Sequence, residues 1–197
     1  IKPKAIEQFT IELKDEENKI EIKTQDDFDV DDRINIILPK KTGIDVLYIT
    51  NSKKSFVKSA FESVKTLNIE KAEPPIIPVS KKDIYVLDKV EYGSMLPGTI
   101  EKILSFVNAG SSLIVVAQEK LDMTKLDSVL PLNDMALKNE ETVIVNTAVN
   151  ANMKDFTFWS SSKYYSGMLR SNSSIILAEA NDKYKSPAIT ISKYGQG

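Results

Sequence analysis

The sequence contains neither cysteine nor histidine. Without cysteine the chain has no thiol nucleophile and no disulfide bond, and without histidine it lacks the commonest general base. The two absences together exclude zinc sites that are built on cysteine or histidine ligands. The missing cysteines do not define a cellular compartment, because a domain without cysteine is stable in either redox environment.

An excess of positive charge and long apolar runs are also missing. The net charge is −2, and the 26 basic and 28 acidic residues are interspersed along the chain. A nucleic-acid interface needs a basic stripe, so we expect no nucleic-acid partner. No apolar run approaches the ~20 residues that span a bilayer, so we expect no membrane insertion by this segment.

Apolar side chains are plentiful enough for a sizeable core. They make up 42% of the 197 residues, which argues against a disordered chain. A domain typically takes roughly 100–200 residues, so the length allows one full domain and a fragment of a second. Because the first residue is Ile1 rather than methionine, we expect a piece cut from a longer protein.

The clearest pattern lies in residues 83–118, where two apolar runs flank one amphipathic segment. The runs cover residues 84–88 and 112–117, and Gly110 suits the left-handed position that ends a helix. The apolar residues between the runs recur at helical spacing: Ile100, Ile103, Leu104 and Val107. Two continuous apolar strands joined by a helix predict a βαβ unit with parallel strands.

A third apolar run and a second amphipathic segment precede this unit. Residues 44–50 read as a strand and residues 52–64 as a helix with one apolar face. Strands that alternate with helices predict an α/β fold with three layers, built on a doubly wound, mostly parallel sheet of the flavodoxin-like kind. We assign this fold to residues 41–197. Later apolar runs are expected to extend the sheet in mixed orientation, and they cover residues 142–145, 174–178 and 188–191.

Residues 1–40 carry strand patterns of another kind. Apolar and polar residues alternate there, which is typical of half-buried antiparallel strands. In the acidic run over residues 26–32, alternate aspartates could share a calcium ion. An EF-hand loop that begins at Asp27 would need glycine and glutamate where the chain has Asp32 and Leu38. A solvated acidic turn is the preferred interpretation, and a looser calcium site is the alternative.

Two segments resemble a known fold. Their letters are IDVLYITN, residues 44–51, and IYVLDKVEYGSMLPGTIEKILSFVNAGSSLIVVAQ, residues 84–118. They resemble the class I glutamine-amidotransferase-like domain, and more narrowly its non-catalytic version at the C-terminal part of large, membrane-anchored prokaryotic surface proteins. The resemblance implies that residues 1–40 end an immunoglobulin-like module and that residues 41–197 form the amidotransferase-like domain, without its last strand. It also implies a place in the cell envelope, with the rest of the parent chain as a partner.

The residues that carry catalysis in that family are absent here. Its catalytic members hold a cysteine on the turn after the strand that corresponds to residues 113–116, and a later segment supplies a histidine. In this chain the turn reads Ala117-Gln118-Glu119. Alanine has no nucleophilic atom, and glutamine is no useful nucleophile near neutral pH. We therefore predict no catalytic residues, no metal and no cofactor.

The candidate ligand site is the crevice outside the carboxyl ends of the predicted parallel strands, where open α/β sheets bind ligands. The residues expected to bind there follow those strands: Asn51, Ser52, Asp88, Lys89, Glu91 and Gln118. Asp88 and Glu91 could also form a carboxylate pair, but Lys89 between them favours two ionised groups in a solvated turn. We expect the aromatic residues over 156–165 to form a core under a loop.

These patterns favour a non-enzymatic recognition or scaffolding domain of a larger prokaryotic protein, with a protein or a small ligand as its unidentified partner. Two alternatives stay open. One is a hydrolase-like enzyme that uses Ser, Asp or Lys in the crevice, and the other is a sensor of small ligands without any chemistry. Buried, titratable groups that converge in the crevice would indicate the enzyme, and an open apolar pocket would indicate a binding module.

Overall fold

The protein is described by a computed structural model, in which the chain divides into two compact units, residues 1–42 and 43–197. The structure describes residues 10–11, 17–21, 33–37, 43–91, 93–119, 123–147, 158–171 and 174–197. Within these ranges it contains twelve strands and two α-helices, so the chain is mostly β.

The described residues of the first unit form an antiparallel strand pair. Strand β1 (Glu17–Glu21) lies beside β2 (Arg33–Ile37), and Glu17 is opposite Ile37. The acidic run of residues 26–32 lies outside the described residues, so the calcium alternative stays a prediction. The assignment of residues 1–40 to an immunoglobulin-like module also stays a prediction.

The second unit begins with a parallel sheet of four strands. Along the chain these are β3 (Ile44–Ile49), β4 (Leu67–Ala72), β5 (Ile84–Leu87) and β6 (Ser112–Val115). Their order in the sheet is β4-β3-β5-β6, and each neighbouring pair is parallel. The three strands expected from residues 44–50, 84–88 and 112–117 therefore do lie side by side and point the same way.

Two helices cover this sheet, one on each face. Helix α1 (Phe56–Glu62) begins after Ser55, whose side chain accepts a hydrogen bond from the Lys58 amide. Helix α2 (Thr99–Asn108) connects β5 to β6. Because side chains alternate along a strand, each strand contributes to two cores. Val46, Tyr48 and Val86 pack against α1, and Leu47, Ile49, Tyr85 and Leu87 belong to the core that includes α2.

The strands that follow in the described part of the second unit pair antiparallel. After a 3₁₀ turn at Met123–Leu126, strand β7 (Leu132–Lys138) pairs with β10 (Tyr164–Leu169). Strand β8 (Thr142–Asn146) lies between β9 (Phe158–Ser161) and β11 (Ile175–Ala180), and β12 (Pro187–Ile191) follows at the edge. These four strands form a separate sheet in the order β12-β11-β8-β9.

The predicted fold class, a three-layer, doubly wound and mostly parallel α/β sheet, is wrong. Three of the four sheets in the described residues are antiparallel, and two α-helices are too few for a doubly wound fold. The late apolar runs pair with one another instead of extending the parallel sheet. The physical reason is that no α-helix lies between the strands after residue 131 in the described part. Short turns can join antiparallel strands, whereas a parallel pair needs a long crossover.

The turn between β11 and β12 is fixed by Asp182. Its carboxylate accepts hydrogen bonds from the Ser186 hydroxyl (2.6 Å), the Ser186 amide (2.9 Å) and the Tyr184 amide (3.1 Å). The Tyr164 hydroxyl of β10 lies 3.0 Å from the same carboxylate. Burial by itself would raise the pKa of Asp182, but the hydrogen bonds outweigh it and hold this pKa below its usual value.

This lowered pKa predicts that the Asp182→Asn variant is less sensitive to acid than the natural chain. When the pKa of a carboxyl group is lower in the folded state than in the unfolded state, the group stabilises the fold above pH ~4. This stabilisation is lost as the pH falls through the folded-state pKa. Asparagine cannot titrate, so the difference in stability between the two proteins should narrow from pH 6 to pH 3. Thermal unfolding across this range measures it. If the stabilities of the natural chain and of Asp182→Asn changed with pH in parallel, the prediction would be contradicted. Ser186→Ala removes one of the hydrogen bonds and should reduce the acid sensitivity only in part.

Candidate functional site

A large cleft opens beside β6, between the parallel sheet and the antiparallel strands. Its volume is about 1460 Å³, which exceeds the ~300–1,000 Å³ of typical small-molecule pockets. Its walls are mainly apolar and include Val115, Leu132, Met135, Trp159, Ile189 and Ile191. The cleft therefore has the character of a binding surface for an apolar or amphipathic ligand.

Two edge strands run along this cleft. Every residue from 112 to 119 lines it, and so does every residue from 187 to 194. Successive side chains of a strand point to opposite faces, so a cleft that touches all of them lies along the edge of the strand. β6 and β12 are the terminal strands of their sheets. The cleft is thus flanked by the edges of two different sheets.

Five of the six predicted site residues line the cleft. These are Asn51, Ser52, Lys89, Glu91 and Gln118. They meet there because the parallel strands β3, β5 and β6 end at the same edge of the sheet. Their part in ligand binding stays a prediction.

The polar groups at this end of the cleft hold its loops together. Asn51 Oδ1 accepts hydrogen bonds from the Glu91 amide (2.9 Å) and the Ser94 hydroxyl (3.1 Å). Gln118 Nε2 donates to the Val90 carbonyl (2.7 Å), which ties the loop after β6 to the loop after β5. The Ser52 hydroxyl likewise donates to a backbone carbonyl, that of Lys54 (2.8 Å). These side chains shape the site, and their main hydrogen-bonding atoms already have partners within the protein.

Asp88, the sixth predicted residue, is buried behind the site and is only 1% exposed. It accepts a hydrogen bond of 2.6 Å from the Tyr48 hydroxyl, which also lies 3.1 Å from Ser55 Oγ at the start of α1. Burial, and then the hydrogen bond to Asp88, raise the pKa of Tyr48 well above its ordinary value. Since Asp88 does not line the cleft and Glu91 does, the geometry gives no support to a carboxylate pair.

The opposite wall contributes residues that the sequence did not single out for binding. Lys163 Nζ forms an ion pair of 2.5 Å with Glu119 Oε1, and the Tyr165 hydroxyl donates to the Gln118 carbonyl (3.2 Å). Both contacts join β10 and its preceding turn to the loop after β6. Trp159 and Tyr165 line the cleft, so part of the aromatic cluster over 156–165 faces the candidate site rather than only a core under a loop.

The described residues offer little for a metal ion or a membrane. Among them, no group of three or more carboxylates is placed to hold a metal. No helix in this part of the chain is both long and apolar enough to cross a bilayer.

Comparison with solved structures finds a distant likeness. The chain is similar to a β-galactosidase from Rahnella sp. R3, with 14% sequence identity and a TM-score of 0.52. The similarity covers 77% of this chain but 27% of that chain, about a quarter of its length. At this identity the likeness concerns the fold alone. No curated protein matches the sequence.

The sequence itself matches one family over most of its length. Residues 45–197 match the family described as Domain of unknown function (DUF7408). The proposed resemblance to a class I glutamine-amidotransferase-like domain is therefore wrong, because the match is to another family and the structure is mostly β with antiparallel sheets. The chain belongs to the family described as Domain of unknown function (DUF7408).

Proposed function

We propose that this protein is a non-catalytic recognition domain, which binds its ligand in the cleft beside β6. The observation that carries the proposal is the combination of apolar walls with a polar end whose side chains are engaged in structural hydrogen bonds. Large, well-formed apolar pockets with a few polar groups are the usual places where proteins bind ligands. The arrangement supports binding better than chemistry.

A hydrolase-like enzyme remains the alternative, and the geometry favours it less. Such an enzyme needs a nucleophile hydrogen-bonded to a base. The Ser52 hydroxyl donates instead to a backbone carbonyl, and the Lys89 ammonium donates to that same Lys54 carbonyl (3.2 Å). Hydrolysis of nitrophenyl esters that disappears in Ser52→Ala would support the enzyme and contradict the proposal.

We further propose that the domain works as part of a larger protein. The similar region of the β-galactosidase makes up 27% of that chain, so a domain of this fold can be built into a longer polypeptide. The rest of the parent chain would then be the first partner of this domain, and the ligand would be a second one.

Filling the cleft should weaken the binding of an apolar probe. Ala188 of β12 lines the cleft, whereas Ala136 of β7 does not, and both are exposed positions in strands. We expect Ala188→Trp to weaken binding of the dye 8-anilinonaphthalene-1-sulfonate about tenfold, because the indole occupies space in the cleft and the dye then buries less apolar surface, a loss of ~1.4 kcal/mol. Fluorescence titration of the folded proteins measures the affinity.

Ala136→Trp is the matched control and should bind the dye like the natural chain. Thermal unfolding of both variants shows whether the fold is kept. Equal affinities for the two variants, or no dye binding by the natural chain, would contradict a ligand site in the cleft.

A further inference from the structure

Strand β6 has one free edge. The amides of Ser112 and Val116 donate toward β5, to the carbonyls of Asp83 (2.8 Å) and Leu87 (2.9 Å). Backbone groups of a strand alternate in direction, so those of Leu113 and Val115 point away from β5. Among the described residues, no backbone group pairs with them on that side.

This free edge lies in the cleft rather than on an open surface. Both Leu113 and Val115 line the cleft and are half-buried. Backbone donors and acceptors in an apolar setting need partners, since leaving them unpaired costs free energy comparable to a lost hydrogen bond. A purely hydrocarbon ligand would cover the walls but would leave these groups unpaired.

We propose that the ligand is an extended peptide segment, which adds to the edge of β6 as a further strand. The inference rests on the proposed function, and it names the chemical class of the ligand. A peptide strand offers amides and carbonyls to Leu113 and Val115, and its alternate side chains enter the apolar part of the cleft. Backbone pairing provides affinity, and the pockets for side chains provide selectivity.

The dimensions and the facing wall agree with such an occupant. β6 has four residues, about 13 Å at ~3.3 Å per residue, which fits a bound stretch of about four to six residues. The facing strand β12 presents Ile189 and Ile191, which are 36% and 52% exposed. Lysines and glutamates are mixed at the end of the cleft, Lys89 and Lys163 with Glu91 and Glu119. The preferred peptide therefore carries apolar side chains at alternate positions and no strong net charge.

Hydrogen exchange tests the pairing directly. A library of random peptides of about 12 residues, displayed on phage, is selected against the full chain, and the selected peptide is synthesised. On binding, the amides of Leu113 and Val115 should exchange at least about tenfold more slowly, equivalent to ~1.4 kcal/mol of protection. The amides of Ser112 and Val116 are already bonded to β5 and should not change. Uniform protection of all four would overturn strand addition.

Two variants at one position separate backbone pairing from side-chain packing. Val115→Pro removes the outward N–H and leaves the pairing to β5, because proline is tolerated on the free side of an edge strand. Val115→Ala loses packing but keeps the N–H. We expect Val115→Pro to weaken binding of the synthetic peptide at least about tenfold and Val115→Ala to weaken it less than about threefold. Equal effects would overturn the proposal.

If Val115→Pro does not fold, peptides with N-methylated backbone amides test the same backbone pairing from the side of the ligand. A peptide that is N-methylated at a residue facing β6 should lose binding, and one methylated at the next residue should keep it. If the dye binds and the library gives no peptide, the inference fails and the proposed function stands. If neither the dye nor any peptide binds, the inference and the proposed function both fail. Self-association of the chain that protects the same two amides would identify a second copy as the occupant and overturn the peptide proposal.

Discussion

Replacing Ile103 with alanine is expected to lower the free energy of unfolding by about 3–4 kcal/mol. Ile103 lies in the middle of α2, is 1% exposed, and belongs to the same core cluster as Tyr85 and Leu87 of β5. The change removes buried methyl groups and leaves a cavity, because a packed core relaxes only in part. Urea denaturation followed by circular dichroism measures the loss.

The neighbouring Lys102 provides the control for this experiment. It is exposed on the same helix, and Lys102→Ala should change the stability by less than about 0.5 kcal/mol. Because α2 leads directly into β6, we also expect Ile103→Ala to weaken dye binding in the cleft. A loss of stability below ~1 kcal/mol would mean that α2 does not pack on the sheet as described.

Removing the hydroxyl of Tyr48 should cost about 2–3 kcal/mol of stability. The Tyr48→Phe change leaves the Asp88 carboxylate buried without its hydroxyl donor, and hydrogen bonds to charged groups are among the stronger ones. The raised pKa of Tyr48 means that its hydroxyl keeps its proton over the accessible pH range and remains the donor. Chemical denaturation at pH 7 gives the free energy of unfolding.

Tyr85→Phe is the matched control for Tyr48→Phe. Both rings are fully buried, but the Tyr85 hydroxyl bonds to neutral backbone groups, donating to the Ser80 carbonyl and accepting from the Lys82 amide. Its loss should cost about 1 kcal/mol, the usual net value of a neutral hydrogen bond. If Tyr48→Phe cost no more than Tyr85→Phe, the buried carboxylate would not depend on Tyr48.

The parallel part of the fold could be predicted because its signals are local. The apolar runs at residues 44–50, 84–88 and 112–117 are continuous, as expected of strands covered on both faces, and α2 has helical apolar spacing. The pairing of these runs follows from the helix between them. Which other strands would join their edges is not encoded locally, so the extension to a doubly wound sheet was wrong.

The antiparallel part was harder to predict because its strands are irregular. In β7 the backbone of Asp134 has a φ of 51°, and the pairing of β7 with β10 shifts register between Ser166 and Met168. Such a bulge interrupts the alternation of apolar and polar residues by which a strand is recognised. β9 and β10 were not predicted as strands either, because they lie in or beside an aromatic segment whose apolar residues have no regular spacing.

The candidate site was predictable on one wall only. The rule that polar residues follow parallel strands brings Asn51, Glu91 and Gln118 to the cleft, and their part in ligand binding stays a prediction. Asp88 lies behind the cleft, and the alternation of β5 gives this position, since Val86 and Asp88 share the face that packs against α1. Lys163 lies 44 residues after Glu119, and no local pattern reveals such a contact.

The two edges of the parallel sheet differ in how they resist aggregation. Along β4 the exposed side chains are polar, Asn68, Glu70 and Lys71, and Glu70 forms an ion pair of 2.8 Å with Lys82. Charged side chains on an edge strand discourage pairing with other chains. The edge of β6 carries Leu113, Ile114 and Val115 without such charges, so its place within the cleft, rather than charge, keeps it from pairing with the edges of other chains.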